Sequence, residues 1–162
     1  MTKSRYPDKL KWEYQHQNVF EMLKDTLAKK PILKLADPTK TFTLRTDASD
    51  VGIGAMLLQD HGGTLFPVAY ISKKLLPREC NYSVMEKECL AVVWAVNKLK
   101  MYLYGKEFIL QTDHQSLTYL DKAKFTNQRV MRWSLALQPY RYRVEYIKGE
   151  DNLGADMLSR QL

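Results

Sequence analysis

Two stretches far apart in the chain share one design. Phe42-Thr43-Leu44-Arg45-Thr46-Asp47 and Phe108-Ile109-Leu110-Gln111-Thr112-Asp113 both read Phe-x-Leu-x-Thr-Asp. Phe, Leu and Thr at alternate positions suit a pleated strand with one packed face. Each run ends in an aspartate that projects from the C-terminal end of its strand. Laid side by side, the strands make Asp47 and Asp113 neighbours, and adjacent carboxylates repel unless they share a proton or a cation. Hard oxygen ligands suit magnesium or manganese. The pattern therefore predicts a scaffold for an acidic, metal-holding cluster.

A length of 162 residues fits one globular domain with an N-terminal extension. Hydrophobic residues at 45% supply a core and exclude a disordered chain. Lys and Arg number 25 against 18 Asp and Glu, a net charge of +7. That excess favours a polyanionic partner, with an ordinary solvated basic surface as the alternative. Cys80 and Cys89 are too few for a disulfide framework and lack metal-site spacing, which fits idle thiols in a reducing compartment. No apolar run approaches the ~20 residues needed to cross a bilayer. The first fifteen residues have no apolar centre of a signal peptide. The sequence thus predicts a protein of the cytoplasm or nucleus, neither secreted nor held in a membrane.

Along the chain, residues 1–10 are polar. Val19, Phe20, Leu23 and Leu27 recur at helical spacing between Trp12 and Lys30, and Pro31 stops the pattern. Strands are predicted at Thr41–Thr46, Ile53–Gln59 and Leu65–Ser72, the last two joined by the hairpin turn Asp60-His61-Gly62-Gly63. Gly52-x-Gly54 lacks the third glycine and the following helix of a dinucleotide loop, so no such organic cofactor is predicted. A long helix follows from Tyr82 to Tyr104, with Asn81 or Ser83 as its cap. Then come a strand at Glu107–Thr112, helices at His114–Leu120 and Asn127–Gln138, a strand at Tyr142–Ile147 and a helix at Asp151–Arg160. Three strands joined by tight turns, then helix and strand in alternation, give an α/β fold: a five-stranded mixed sheet flanked by helices.

The long helix carries Glu86 and Glu88. Its apolar stripe is Val84, Ala91, Val92, Ala95, Val96 and Leu99, and Glu88 falls in the middle of it. Glu86 falls with Asn97 and Lys100 on the opposite side, which predicts a surface residue. A carboxylate facing the core needs compensation, from a basic partner or from a metal. In the last helix Asp151 and Asn152 occupy cap positions, and Asp156 lies one turn from Leu153 at the edge of the packed side.

Four segments recur in a recognisable order: Thr46-Asp47-Ala48-Ser49, Tyr82-x-x-x-Glu86-x-Glu88-x-Leu90-Ala91, Thr112-Asp113-His114-x-x-Leu117, and Gly149-x-x-Asn152-x-x-Ala155-Asp156-x-Leu158-Ser159-Arg160. Together with Tyr70-x-Ser72-Lys73-x-Leu75, Tyr102-Leu103-x-Gly105 and Arg132-Trp133, they resemble the ribonuclease H domain of gypsy-type long-terminal-repeat retrotransposon reverse transcriptases. Trp12, Phe20, Leu23-Lys24, Leu27, Pro31 and Leu33 resemble the segment that links polymerase to ribonuclease H in such polyproteins. The likeness covers about residues 12–160.

The resemblance implies a ribonuclease H-like fold, three antiparallel strands leading into two parallel ones. It implies a connection segment with one helix at residues 1–40 and the ribonuclease H domain at 41–162. The family's acid quartet falls on Asp47, Glu88, Asp113 and Asp156, which would hold two Mg²⁺ ions, with Mn²⁺ able to substitute, ~3.5–4 Å apart. Asp47 is then shared by both ions. The implied activity is cleavage of the RNA strand of an RNA–DNA hybrid, in partnership with the polymerase of the same polyprotein, in a cytoplasmic virus-like particle or the nucleus. Ala48, Ser49 and Asn81 are candidate readers of RNA 2′-hydroxyls. Lys73, Lys74, Arg78 and Lys87 are candidate contacts to DNA-strand phosphates, with a solvated role as the alternative. Tyr82 is a candidate for stacking on a sugar or for the core. Related cellular and retroviral enzymes carry a mobile histidine before the last aspartate; Ile147–Asp151 has none, and His114 beside Asp113 is a candidate substitute, with a helix-start residue as the alternative. The rival readings are a decayed, non-cutting copy kept as a nucleic-acid-binding or interaction module, and another nuclease of the same superfold.

Overall fold

The computed structural model of the chain describes residues 13–29, 33–119 and 127–160. By its internal contacts the chain divides into two units, Met1–Ile32 and Leu33–Leu162. The first is represented by helix α1, Tyr14–Lys29. Val19 and Phe20 are exposed on it. The side chains of Leu23 and Leu27, and Trp12, Lys30 and Pro31 entirely, lie outside the described residues.

The second unit is an α/β layer structure. Its strands are β1 (Phe42–Ala48), β2 (Gly52–Asp60), β3 (Leu65–Lys74), β4 (Glu107–Thr112) and β5 (Arg141–Tyr146). They form one sheet in the order β3-β2-β1-β4-β5. β1, β2 and β3 are antiparallel neighbours, whereas β1–β4 and β4–β5 are parallel. The mixed sheet expected from the sequence is present, three antiparallel strands followed by two parallel. β1 and β4 pair with Phe42 opposite Phe108 and Leu44 opposite Leu110, so the twin motifs lie in register. All four of these side chains are buried.

The crossover between the two motifs contains helix α2 (Pro77–Cys80), helix α3 (Val84–Lys98) and the short helix α4 (Lys100–Leu103). The single helix expected from Tyr82 to Tyr104 is therefore broken. Leu99 leaves helical geometry at φ −98°, ψ 16°, and both Leu99 and Leu103 are buried. Helix α2 was not expected; its proline sits at the first turn, where no amide donor is needed, and Glu79 accepts from the Leu76 amide at 2.9 Å. Ser83 is the α3 cap. The helix expected at His114–Leu120 is a 3₁₀ turn, Gln115–Tyr119, and Leu120 lies outside the described residues. Helix α5 spans Gln128–Leu137. The last helix, expected from Asp151, begins later: a 3₁₀ turn at Gly149–Asp151 precedes α6, Leu153–Arg160.

The two faces of the sheet take different helices because side chains alternate along a strand. Ala55 and Leu57 join Cys89, Val92 and Val96 of α3 in the main core, which Val130 and Leu137 of α5 complete. Gly54 and Met56, on the other face of β2, meet α6. A rung of polar side chains fastens the parallel half: Arg45 Nε donates to Gln111 Oε1 at 2.8 Å, and Gln111 Nε2 to Glu145 Oε2 at 3.1 Å. Arg45 also donates to the backbone oxygen of Asp151 at 2.8 Å, tying the turn before α6 to β1.

Gly54 has a steric reason. A Cβ there would sit 2.6 Å from both the Ala155 carbonyl oxygen and Leu158 Cβ, so α6 must lift to admit it. Gly54→Ala is expected to cost about 3 kcal/mol, the upper range for overpacking, read from urea unfolding midpoints.

Candidate metal centre

Three carboxylates converge where the parallel seam of the sheet meets the start of α3. Asp47 is the penultimate residue of β1, Asp113 follows the last residue of β4, and Glu88 lies just over one turn into α3. One oxygen from each lies within 4.8 Å of the other two. Asp47 and Glu88 are buried, at 6% and 4% exposure, and Asp113 is half-buried.

Burial is the leading cause of the unusual ionisation here. Removal from water pushes Glu88 up to about 9, and the charges of Asp47 and Asp113 push the same way. The Ala48 amide, donating to Glu88, opposes the rise. Asp47 is likewise raised by burial; the Ser159 hydroxyl counters this, while Asp113 and Asp156 add repulsion. Glu88 Oε2 is buried without a hydrogen-bond partner. An orphaned carboxylate oxygen beside two further acids matches the hard, oxygen-only donor set of a divalent cation. Asp47, Glu88 and Asp113 are therefore the residues fit to hold a metal.

Asp156 is outside that trio but within electrostatic reach of Asp47. It is half-buried on α6, and its Oδ1 accepts from Arg160 Nε at 2.5 Å. Two ties bring α6 to this place. Asn152, fully buried, donates through Nδ2 to the Thr46 oxygen at 3.0 Å. Ser159, also fully buried, donates to Asp47 Oδ2 at 2.6 Å. The connection from β5 passes close to the cluster, since a Cβ on Gly149 would lie 3.4 Å from Asp113 Oδ2.

The other expected site residues have mixed placements. Ala48 touches Glu88 through its amide. The Ser49 hydroxyl is 2.6 Å from the Ser159 oxygen and accepts from the Gly52 amide at 3.0 Å, so it shapes the β1–β2 turn. Asn81, Lys74 and Arg78 are exposed. Lys73 pairs with Glu79, 3.0 Å from each carboxylate oxygen. Tyr82 is half-buried beneath the Arg129 guanidinium, 4.0 Å from the ring centre, with Trp133 at 6.0 Å. The His114 amide donates to Thr112 Oγ1 at 3.1 Å.

Two expectations are corrected. Lys87 is not a free phosphate contact: it is buried and donates to Asp50 at 2.7 Å, which clamps the β1–β2 turn to α3. Glu86 is not a surface residue. Helix α5 covers that flank of α3, and Glu86 is only 8% exposed. Its carboxylate accepts from the Ser83 amide at 2.9 Å, from Asn127 Nδ2 at 2.9 Å and from Arg129 at 2.5 Å. The hydrogen bond from Asn127 is the largest cause of its lowered pKa, and the bonds to Ser83 and the charge of Arg129 add to it. Part of this was legible, because Ser83-x-x-Glu86 is a capping box. Val84, assigned to the apolar stripe, is 61% exposed at the helix start.

Comparison with known proteins decides the family. The profile of the RNase H-like domain found in reverse transcriptase matches residues 37–140. The chain belongs to this family. It is 42% identical over 90% of its length to the retrovirus-related Pol polyprotein from transposon 297 of Drosophila melanogaster, and 42% identical over 90% to that from transposon gypsy. A Tf2-3 transposon polyprotein of Schizosaccharomyces pombe is 36% identical over 93% of the chain. The domain spans only 13%, 14% and 12% of those polyproteins, respectively. Among solved structures, the prototype foamy virus protease-reverse transcriptase superposes with a TM-score of 0.65 at 17% identity, over 86% of the domain and 19% of that chain. RNase H1 from Halobacterium salinarum gives 0.57 at 17% identity, over 73% of the domain and 93% of that chain. The fold is therefore that of ribonucleases H.

Two outcomes follow from the electrostatics. Folded, metal-free Glu88 keeps its proton to about pH 9, against a usual 4.5 when unfolded. The folded state binds more protons in between, so this stabilisation is full below the lower value and is lost as pH rises through the upper one. In EDTA the urea midpoint of the wild type should fall, relative to Glu88→Gln, between about pH 5 and about pH 8.5, and saturating Mg²⁺ should remove the difference. Glu86→Ala should instead cost about 1–2 kcal/mol at neutral pH through loss of the capping box, measured by the same unfolding curves.

Proposed function

We propose that this domain is a metal-dependent endonuclease that cuts the RNA strand of RNA–DNA hybrids during reverse transcription. The observation that carries the reading is the carboxylate trio within 4.8 Å, two of its members buried and the third half-buried, set in a member of the reverse-transcriptase RNase H family. A hybrid substrate is supported by relatives of the same fold: the foamy viral protease-reverse transcriptase and LC11-RNase H1 each have a structure in complex with an RNA/DNA hybrid. A net charge of +7 favours such a polyanion.

In this reading Asp47, Glu88, Asp113 and Asp156 would hold two Mg²⁺ ions, or Mn²⁺ in their place. When bound, these ions supply a water-derived nucleophile at neutral pH and charge stabilisation for the leaving oxygen. The water's oxygen would add to phosphorus, with loss of a proton, as the bond to the ribose 3′-oxygen breaks and that oxygen takes up a proton, which leaves a 5′-phosphate and a 3′-hydroxyl. The chain's own contribution is placement. Asp47 and Asp113 sit on paired strand ends, which limits their freedom to move apart. Glu88, whose pKa is raised first by burial and then by the charges of Asp47 and Asp113, would give up its proton to serve as a ligand. Asp156, now paired with Arg160, would be the fourth ligand.

Ala48, Ser49, Asn81, Tyr82, Lys73, Lys74 and His114 are the proposed substrate contacts. The polymerase of the same polyprotein is the proposed partner, since the relatives are Pol polyproteins. The work would then take place in the cytoplasm, in a virus-like particle, or in the nucleus.

Incubation with Mg²⁺ and a hybrid labelled on its RNA strand should yield cleavage by the wild type and none on the matching DNA duplex. Asp47→Asn should lower the rate by about three orders of magnitude or more, the scale of several kcal/mol of lost transition-state stabilisation. Wild type that binds hybrid without cutting it would overturn the enzyme in favour of a binding module.

A further inference from the structure

The Leu158-Ser159-Arg160 ending of α6 lies beside the acid cluster. Ser159 lies three residues beyond Asp156 and is fully buried. Its Oγ is 2.6 Å from Asp47 Oδ2 and 2.8 Å from the Asp156 backbone oxygen. Its own carbonyl accepts from Ser49 Oγ at 2.6 Å. One buried hydroxyl therefore touches the strand that carries the first acid and the helix turn that carries the fourth.

We infer that Ser159 is a positioning residue for divalent cations, orienting the Asp47 carboxylate across 112 residues of sequence. The inference rests on reading the acid cluster as a metal site. A carboxylate with one oxygen held by a fixed donor cannot swing about its terminal bond, so its second oxygen keeps one direction. The same bond supplies a donor where burial denies Asp47 water. Partners of this kind, one step behind a ligand, are worth about 10- to 100-fold in metal affinity.

A purely structural Ser159 would only fasten α6 to the sheet. Leu158 provides the contrast, because it packs on the same helix against Gly54 without bonding Asp47. The test titrates Mn²⁺ and Mg²⁺ into the metal-free full chain by calorimetry, with thermal unfolding alongside, for wild type, Ser159→Ala, Ser159→Cys and Leu158→Ala. The cysteine variant keeps the packing but is a weak donor, which guards against a simple failure to fold. Both Ser159 variants should bind the ions about tenfold or more weakly, whereas Leu158→Ala should lower the unfolding temperature and leave affinity within about twofold. Ser159 variants that bind as wild type does, or an equal loss in Leu158→Ala, would overturn the inference. Wild type that binds neither ion would overturn the metal reading itself.

Discussion

The burial of like charges side by side, set up by the parallel pairing of β1 with β4, is the constraint on which this site depends. Four rungs of the ladder, from Phe42 opposite Phe108 to Arg45 opposite Gln111, carry both strands forward in step. Side chains alternate with a period of two, so a slip of one residue would send one aspartate to the wrong face. The burial of Phe42, Leu44, Phe108 and Leu110 forbids that slip. Hydrophobic packing thus drives Asp47 and Asp113 together against their electrostatics. A parallel pair also needs a long connection, and here that connection includes α3 with Glu88. The fold tolerates three crowded acids because a proton or a cation can be taken up among them.

Glu86 and Glu88 make the role of environment plain. They are the same residue two positions apart, both buried, yet they are driven in opposite directions. Glu86 meets donors on every side: the Ser83 amide, the Asn127 amide group and the Arg129 guanidinium. Glu88 meets two other acids and one backbone amide. The first is a stable anion that joins α5 to α3. The second is poised to change its charge when a cation arrives, and pairs of this kind mark functional sites.

The end of α6 completes the centre from the opposite face of the sheet. Gly54 lets that helix approach, Asn152 binds the strand beneath it, and Ser159 reaches the first acid directly. Arg160 meanwhile neutralises Asp156, which stays apart from the trio. The four acids are thus not equivalent: three converge on one point, two of them buried, and the fourth rides on a separate element with its own counter-charge.

Much of this was legible in the chain. Alternation at Phe42–Thr46 and Phe108–Thr112 determined two strands with matching ends, and the turn at Asp60–Gly63 determined the hairpin between β2 and β3. Helical periodicity turned Glu88 inward, because its apolar neighbours recur on one side. These features are local, and local spacing encodes them. What the sequence left open was which elements cover which. The burial of Glu86 depends on α5, 41 residues away at Asn127, and the pairing of Lys87 on Asp50, 37 residues away. The bond from Ser159 to Asp47 spans 112 residues. Only tertiary structure decided these, because a side chain's solvent and partners are set by the surfaces folded over it, and no periodicity within one helix or strand records what lies on the other side.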